Sequence, residues 1–220
     1  MEIFSKIKEI VDDSIEPIFV EFGMCDGYHS QLMINLLSSS GKPFTYNGFE
    51  PNYELFKNIR LLYNQDLGKV SIFNVAVGGK NDIADFYISG GFGIENGQSY
   101  YASSSIRKPK LVLEYWKGMT FEKQQIQVIT FDNHIKANNL DGKIIDFVWA
   151  DIQGAEIDLI KGGKKAFENV KYFYTEYCNK ELYDGLIGLD EICKMLPYFE
   201  VVYDYAGEIF GDVLLKNTKL

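Results

Sequence analysis

The stretch 19–27 reads Phe19-Val20-Glu21-Phe22-Gly23-Met24-Cys25-Asp26-Gly27. A short apolar run contains an acid, two glycines follow with the spacing G-x-x-x-G, and a helix-like pattern begins at about residue 28. This order predicts a strand, a tight turn and a helix, the opening unit of a nucleotide-binding α/β sheet. Gly23 and Gly27 allow a ligand to approach the backbone because they lack a Cβ. Glu21 and Asp26 offer carboxylates to its ammonium or hydroxyl groups.

The turn departs from the dinucleotide fingerprint G-x-G-x-x-G, since Cys25 and Tyr28 occupy its second and third glycine positions. The pattern E-x-G-x-x-x-G instead resembles the first motif of class I S-adenosylmethionine (SAM) methyltransferases. Their cofactor has no pyrophosphate and therefore needs no phosphate-binding turn. A turn with two glycines is also compatible with a purely structural role.

The composition fits one domain over residues 1–220 and excludes several classes of protein. The chain has 46% hydrophobic residues, 15% aromatic residues and a formal net charge of −9, so a large core is expected and nucleic-acid binding is not. No apolar run approaches the roughly 20 residues of a membrane span. The three cysteines, Cys25, Cys178 and Cys193, lack metal-ligand spacing. With no secretion signal in view, they indicate a reduced, cytoplasmic protein.

Alternating apolar patterns predict strands and helices in turn, and hence a mainly parallel sheet. The predicted strands are 18–22, 44–49, 69–75, 83–88, 126–129, 143–149, 172–175, 199–204 and 209–215. The predicted helices are 2–13 within an N-terminal element 1–16, then 28–38, 53–64, a helix through 138 capped by Thr130 or Asp132, 155–168 broken at Gly162-Gly163, and 188–196. The closing hairpin predicts that the last strand is antiparallel.

Residues 89–110 differ from the rest of the chain, because Ser, Gly, Tyr and Asn dominate there. Loops of this length in a compact domain are usually lids or binding loops. We therefore predict a mobile lid or substrate loop in which Tyr100 and Tyr101 stack on a sugar ring or cover the core.

Two acids mark further strand ends. Glu50 lies 29 residues after Glu21 and precedes Pro51, a place suited to accepting both ribose hydroxyls; the alternative is a solvated turn acid. Ala76 and Val77 follow the third strand, which is expected to face the adenosine.

Asp151 follows a very apolar strand and opens the run Asp151-Ile152-Gln153-Gly154-Ala155-Glu156. Its carboxylate is expected where a transferred group would lie. Glu156 falls in the first turn of a helix, where an acid also simply complements the helix dipole.

These motifs resemble, in their order, those of FkbM-type methyltransferases. They are Phe19-Val20-Glu21-Phe22-Gly23, Gly48-Phe49-Glu50-Pro51, Asn74-Val75-Ala76-Val77, Ser103-Ser104-Ser105, Thr130-Phe131-Asp132, Asp151-Ile152-Gln153-Gly154-Ala155-Glu156 and the trailing Glu176. The resemblance spans about residues 18–180 and implies a SAM-dependent O-methyltransferase acting on hydroxyls of sugars, glycans or natural products. It also implies a Rossmann-like, doubly wound, mainly parallel seven-stranded α/β sheet with the last strand antiparallel. The first motif departs from the family pattern at two places: Glu21 replaces the Asp of many members, and Cys25-Asp26 replaces their Ala-Asn.

The resulting hypothesis assigns roles residue by residue. Asp151, Glu176 and His29 are the candidate bases. The candidate cofactor-binding residues are Glu21, Gly23, Met24, Asp26, Gly27, Glu50, Pro51, Ala76, Val77 and Asp151. Asp151, Glu176 and Asn179 could instead hold a divalent ion, although a metal-free site is favoured. His134 is expected at the surface or in packing.

Other functions stay open at this stage. A SAM-binding inactive or scaffolding subunit and an NAD-dependent Rossmann enzyme are the alternatives. The expected partner is a small-molecule or glycan hydroxyl acceptor, and a homo-oligomer is compatible with the sequence.

Overall fold

The computed structural model of the protein describes residues 3–62, 70–94, 97, 99–186 and 188–220. The described helices are α1 (Ile3–Asp13), α2 (Tyr28–Ser39), α3 (Tyr53–Leu62), α4 (Val112–Tyr115), α5 (Phe131–Ala137), α6 (Glu156–Gly162) and α7 (Leu189–Met195). The described strands are β1 (Ile18–Phe22), β2 (Thr45–Phe49), β3 (Val70–Phe73), β4 (Ala76–Val77), β5 (Asp82–Gly91), β6 (Met119–Ile129), β7 (Ile145–Ala150), β8 (Val170–Cys178), β9 (Phe199–Tyr205) and β10 (Phe210–Asn217).

The main sheet has seven strands in the order β3-β2-β1-β7-β8-β10-β9. The first five run parallel, whereas β10 is antiparallel to both of its neighbours. The predicted doubly wound, mainly parallel sheet with an antiparallel last strand is therefore confirmed. The strand order reverses between β1 and β7, because the chain builds outward to β3 and then returns to the other side of β1. Open α/β sheets bind ligands at such a reversal.

Strand β1 is buried along its whole length, as expected for a central parallel strand. Ile18, Val20 and Phe22 pack in a core with residues of α5, α6 and α7, whereas Phe19 packs in a second core with α1, α2 and α3. Side chains alternate across a strand, so the sheet is covered on both faces. This double burial explains the unbroken apolar run around Glu21.

A second sheet, in the order β4-β6-β5, was not predicted. Strand β6 pairs antiparallel with all of β5, and Ala76 and Val77 of β4 pair with its end. The predicted strand 126–129 is wrong at its start, since β6 begins at Met119. Residues 122–125 have exposed polar side chains. This part of β6 therefore lacks the alternation of apolar and polar residues from which a strand is predicted.

The predicted break at Gly162-Gly163 is confirmed, because α6 ends at Gly162 and a short 3-10 helix spans Ala166–Asn169. A Cβ on Gly162 would lie 2.1 Å from the carbonyl oxygen of Gly78. The last residues predicted for helix 53–64 and the first residue of strand 69–75 lie outside the described part of the chain.

The predicted loop 89–110 starts too early, whereas its end agrees with the described residues, which form no named helix or strand between Gly91 and Val112. Gly91 still belongs to β5. Ser105 exchanges two backbone hydrogen bonds with Tyr87, and Pro109 forms an isolated bridge to Tyr183. Backbone pairing therefore fixes both flanks, and residues 95, 96 and 98 between them lie outside the described residues. Within the described ranges, no helix has the length and apolar character needed to cross a membrane.

Candidate active site

A cavity of about 290 Å³ opens at the carboxyl ends of β2, β1 and β7. Glu50 follows β2, Gly23 follows β1 and Asp151 follows β7. Neighbouring strands lie about 4.8 Å apart, so Glu50 and Asp151 stand on opposite sides of the turn after β1. The predicted site residues that border the cavity are Gly23, Met24, Asp26, His29, Glu50, Pro51, Ala76, Val77 and Asp151.

Gly23 is required by the crossing of two chain segments. It adopts φ +87°, and a Cβ there would lie 2.0 Å from the carbonyl oxygen of Asp151. Its N–H donates to Phe49 O at 3.0 Å, and the N–H of Asp151 donates to Phe22 O at 3.0 Å. The residue after β7 therefore approaches the backbone of Gly23 closely, and these contacts hold the ends of β1, β2 and β7 together.

Glu50 is only 4% exposed although it borders the cavity. Its carboxylate accepts the backbone N–H of Cys25 at 2.8 Å and that of Asn52 at 2.7 Å. The amide of Asn74 donates to the carbonyls of Glu50 and Pro51 and fixes this turn. Burial raises the pKa of Glu50 to about 8, despite the two N–H donors that favour its charged form.

The backbone N–H groups of the first turn are mostly used inside the protein. Gly23 and Met24 donate to Phe49 O, Cys25 to Glu50, Gly27 to Met24 O, and Tyr28 to Asp26 Oδ1. A dinucleotide pyrophosphate needs such groups as free donors. The turn is therefore poorly suited to a dinucleotide.

The charge of the cavity wall is negative. Asp26, Glu50 and Asp151 border the cavity, and among the described residues no lysine or arginine does. Such a wall suits ammonium, sulfonium and hydroxyl groups and repels phosphate and carboxylate groups.

Asp151 is reached by solvent through the cavity, although protein surrounds much of its side chain. Its Oδ1 accepts a hydrogen bond from Gln153 Nε2 at 2.7 Å. Partial burial raises the pKa of Asp151, while Gln153 and the nearby imidazole of His29 oppose that shift. The ring of His29 is exposed and lies 4.9 Å from the ring of Trp149. Two of the three candidate bases therefore meet at one end of the cavity.

Glu176, the third candidate base, does not border this cavity. It is half-buried beside Glu156 in a neighbouring depression, and its Oε2 accepts Gln153 Nε2 at 3.1 Å. Burial and the charges of Asp151, Glu156 and Asp212 raise its pKa well above the usual range. The structure therefore connects Glu176 to the cavity through Gln153.

Glu21 and Gly27 also lie outside the cavity lining. The carboxylate of Glu21 is 1% exposed and accepts hydrogen bonds from Ser30 Oγ at 2.5 Å and from the hydroxyl of Tyr46. Gly27 adopts φ +81° at the start of α2. In the structure, Glu21 ties β1 to α2 and β2 rather than facing the cavity.

Glu156 is buried, and its Oε1 accepts the backbone N–H of Ile152 at 3.1 Å. The carboxylate thus holds the turn that presents Asp151. Asn179 donates its amide to Gly207 O. Among the described residues, no group of three or more His, Cys, Asp or Glu side chains is arranged to hold a metal ion.

His134 is packed in the core, which was one of the two alternatives expected for it. It is 2% exposed and lies edge-on to the rings of Phe49 and Phe73. Its Nδ1 contacts the amide of Asn138 at 3.0 Å, and its buried Nε2 has no hydrogen-bond partner. Burial lowers its pKa to about 4, which suits a neutral ring in a core.

Several cavity residues were not predicted. Tyr28, Phe49, Leu55, Phe86, Ile106 and Gln153 all border it. Phe86 and Ile106 come from β5 and the segment after it, whose position depends on the unexpected second sheet. Gln153 could have been predicted from the sequence, since it lies inside the run Asp151-Ile152-Gln153-Gly154-Ala155-Glu156 that contributes to the family resemblance.

The buried glutamates predict a pH-dependent stability. Burial raises the pKa of Glu21 and Glu156 to about 7 and that of Glu50 to about 8, from an ordinary value near 4.5. Their stabilising contribution is full below pH 4.5 and is lost as the pH rises to 8, because the unfolded chain ionises first. One pKa unit corresponds to about 1.4 kcal/mol. We expect Tm to fall by roughly 5 °C or more between pH 5.5 and 8.5 in calorimetry without ligand. A Tm that rises over this interval would contradict the burial of these three acids.

Comparisons with known proteins agree with this geometry. The model of the methyltransferase FkbM domain matches residues 21–205. The 2-O-methyltransferase NoeI of Sinorhizobium fredii (strain NBRC 101917 / NGR234) is 32% identical over 206 residues, which cover 93% of this chain and 81% of NoeI. A crystal structure of a methyltransferase FkbM from Methylobacillus flagellatus KT has a TM-score of 0.54 at 11% identity. That match covers 90% of this chain and 43% of the other, so this chain spans less than half of that protein's length.

The fold and the cavity at its strand-order reversal define a class I SAM-dependent methyltransferase. Within that class, the chain belongs to the FkbM methyltransferase family.

Proposed function

We propose that the protein methylates a hydroxyl oxygen on a neutral sugar, glycan or natural product. The observation that carries this proposal is the cavity itself. One end has the buried acid Glu50 beside apolar side chains, and the other end has Asp151 and His29 open to solvent. Its negative wall suits a positively charged cofactor and an uncharged acceptor. Because NoeI is a 2-O-methyltransferase, a hydroxyl at a 2-position is the first to test.

The residues of the cavity fit SAM. Apolar side chains of Phe49, Leu55 and Val77 near Glu50 can cover an adenine ring. The carboxylate of Glu50 can accept the ribose hydroxyls, and the engaged N–H groups of the first turn are no obstacle because SAM has no pyrophosphate. Asp26 would face the ammonium group of the methionine portion.

When bound, SAM supplies a methyl group activated by its positive sulfonium. The protein then has to orient the acceptor, exclude water and receive one proton. Asp151 is the candidate base, because it borders the cavity and its raised pKa brings it nearer to neutral pH. Gln153 donates a hydrogen bond to Oδ1 of Asp151, and the described residues donate none to Oδ2. The hydroxyl proton would pass to Oδ2.

The direct test combines binding and turnover. Calorimetric titration with SAM and with NAD should show binding of SAM alone. Mass spectrometry should then detect single methylation of hydroxyls in a panel of neutral glycosides, with carboxylated and phosphorylated analogues reacting poorly. NAD binding without SAM binding would refute the proposal. SAM binding without methylation of any hydroxyl would favour a scaffolding subunit.

Glu50→Gln tests the ribose contact. The substitution keeps the size of the side chain. The N–H groups of Cys25 and Asn52 bond different oxygens of Glu50, so glutamine retains an acceptor for only one of them. We expect SAM affinity to fall by roughly 10- to 100-fold, the equivalent of about 1.5–3 kcal/mol for hydrogen bonds to a charged group. Calorimetry gives the dissociation constant, and a retained far-UV spectrum controls for folding. An unchanged constant would remove Glu50 from the cofactor site.

We also propose that the segment 99–102 covers the cavity and contributes to acceptor choice. Tyr101 and Ala102 border the cavity, and the hydroxyl of Tyr101 donates to Asp26 Oδ2 at 2.9 Å. This bond spans from the segment to the first turn. It is the main reason that the pKa of Tyr101 rises to about 12.

Tyr101→Phe removes this bond and little else. We expect SAM to dissociate about five-fold faster in stopped-flow measurements, since the bond is partly exposed and contributes only about 1 kcal/mol. Tyr115→Phe is the control, because Tyr115 is similarly exposed on α4 and does not border the cavity. Equal rates in both variants would show that the segment does not close over bound cofactor.

A further inference from the structure

The side chain of Gln153 lies between the carboxylates of Asp151 and Glu176. Its amide nitrogen lies 2.7 Å from Asp151 Oδ1 and 3.1 Å from Glu176 Oε2. An amide group carries two N–H donors, so one can serve each acid. The first acid borders the main cavity and the second lies in the depression behind it.

The backbone holds Gln153 in an unusual conformation. Its φ is +53°, in the left-handed region that non-glycine residues rarely occupy. Glutamine has no intrinsic preference for this region, and the conformation costs about 1–2 kcal/mol. The next residue, Gly154, has φ +92°, and its missing Cβ leaves room for Tyr183 and Leu186. The surrounding turn is fixed by Glu156, which accepts the N–H of Ile152.

The surroundings of this amide are strongly acidic. Asp212 on β10 lies directly across from Glu176 on β8. The titratable groups that interact with the pair come from several elements: Glu21 on β1, Cys25 in the first turn, His29 on α2, Glu156 on α6, Tyr174 and Cys178 on β8, Tyr183 after β8, and Asp212 on β10. Of these only His29 adds positive charge near Asp151. Without a donor between them, Asp151 and Glu176 would repel each other and favour protonation.

We propose that Gln153 is a positioning residue that bridges Asp151 and Glu176, keeps Asp151 ionised and fixes its Oδ1, so that Oδ2 can receive the acceptor's proton. This inference rests on the proposed function, since it takes Asp151 as the base. The hydrogen bonds from Gln153 lower the pKa of both acids, which agrees with the geometry. Glu176 then acts through the bridge and touches neither acceptor nor cofactor.

Gln153→Met tests the bridge, because methionine keeps the length of the side chain and removes both N–H donors. The first readout is the ¹³C NMR titration of the Asp151 carboxyl carbon, assigned through its loss in Asp151→Asn. We expect the pKa of Asp151 to rise by about one unit, as expected for the loss of a hydrogen bond to the charged form. This measurement needs no turnover, so it decides the bridge even if the acceptor is not a hydroxyl. An unchanged pKa would overturn the proposal.

The second readout is the pH profile of methyl transfer. The ionised base appears at higher pH in the variant, so the acidic limb of kcat should move up by about one unit. Turnover on the acidic limb should fall by up to about ten-fold and approach the wild-type value at high pH, with SAM affinity within about three-fold. An equal loss at every pH would mean that Gln153 only supports the turn, and would overturn the proposal.

Gln125→Met is the matched control. Gln125 also donates its amide to an aspartate, Asp85, but on the exposed face of the β5–β6 arm and away from the cavity. We expect its profile and the Asp151 titration to match the wild type. A shift of the same size in this control would assign the effect to the loss of any surface glutamine and would count against the bridge.

Discussion

Asp151→Asn should lower turnover by about 10²- to 10⁴-fold, the usual range for a lost general base, while SAM affinity stays within a few-fold. The substitution preserves shape, and asparagine Oδ1 can still accept the hydrogen bond from Gln153. The backbone contact between Asp151 N–H and Phe22 O is untouched. The substitution removes the negative charge and with it the ability to take a proton, so we expect the defect in kcat. Single-turnover kinetics with a calorimetric SAM titration separate the two effects.

Asp141→Asn controls for the removal of one negative charge, because Asp141 is exposed and lies before β7, at the opposite end from the cavity. It should leave turnover unchanged. If Asp151→Asn weakened SAM binding as much as it slowed turnover, Asp151 would be a cofactor ligand. Activity abolished by EDTA and restored by a divalent ion would instead support the metal-binding alternative for Asp151 and Glu176.

Gly23→Ala is expected to damage both stability and turnover. The added Cβ would fall 2.0 Å from the carbonyl oxygen of Asp151, and that oxygen belongs to the backbone and cannot rotate away. Either the turn after β1 or the end of β7 must move. The left-handed conformation costs about 1–2 kcal/mol for alanine and overpacking typically adds about 1–3 kcal/mol. Displacing Asp151 by about 1 Å can lower turnover about 100-fold.

Gly142→Ala isolates the conformational part of this effect. Gly142 has φ +71°, but a Cβ there would meet nothing within 4 Å. Chemical denaturation should therefore give a loss of about 1–2 kcal/mol for Gly142→Ala and a clearly larger loss for Gly23→Ala. If both variants lost the same free energy of unfolding, the backbone near Asp151 would have moved away from the new Cβ without an energetic cost. In that case turnover should also be retained.

The neutral-acceptor proposal and the raised pKa of Glu50 have one physical cause. Asp26, Glu50 and Asp151 border the cavity and no lysine or arginine of the described residues does, so no such side chain opposes the rise that burial causes in the pKa of Glu50. A positively charged cofactor would supply the missing cation. Binding of SAM should accordingly favour the ionised form of Glu50, which needs no change in the fold.

The order of strands and helices was readable from the sequence because each unit has a strong local pattern. β1 is an apolar run interrupted by Glu21 alone and ends at a glycine turn, and α2 starts within a residue of its predicted position. The hairpin of β9 and β10 was likewise visible. Parallel strands also place their carboxyl ends at one edge, so Glu50 and Asp151 were expected near each other.

The second sheet could not be predicted because its pairing is non-local and its surface is polar. The residues 122–125 of β6 face solvent, so they show no alternation of apolar and polar side chains. Their conformation is set by pairing with β5, some forty residues earlier in the chain. This pairing in turn brings Phe86, Tyr101 and Ile106 to the cavity.

The sequence by itself determined the class of fold, the edge of the sheet at which the cofactor site is expected, and nine of the residues that border the cavity. Only the tertiary structure decided which acids face the cavity. Glu21 and Glu50 both lie at or near strand ends, yet Glu21 is enclosed by Ser30 and Tyr46, whereas Glu50 borders the cavity. The bridge from Asp151 through Gln153 to Glu176 was equally invisible. Side-chain direction depends on neighbours that are distant in sequence, and a local pattern carries no information about them.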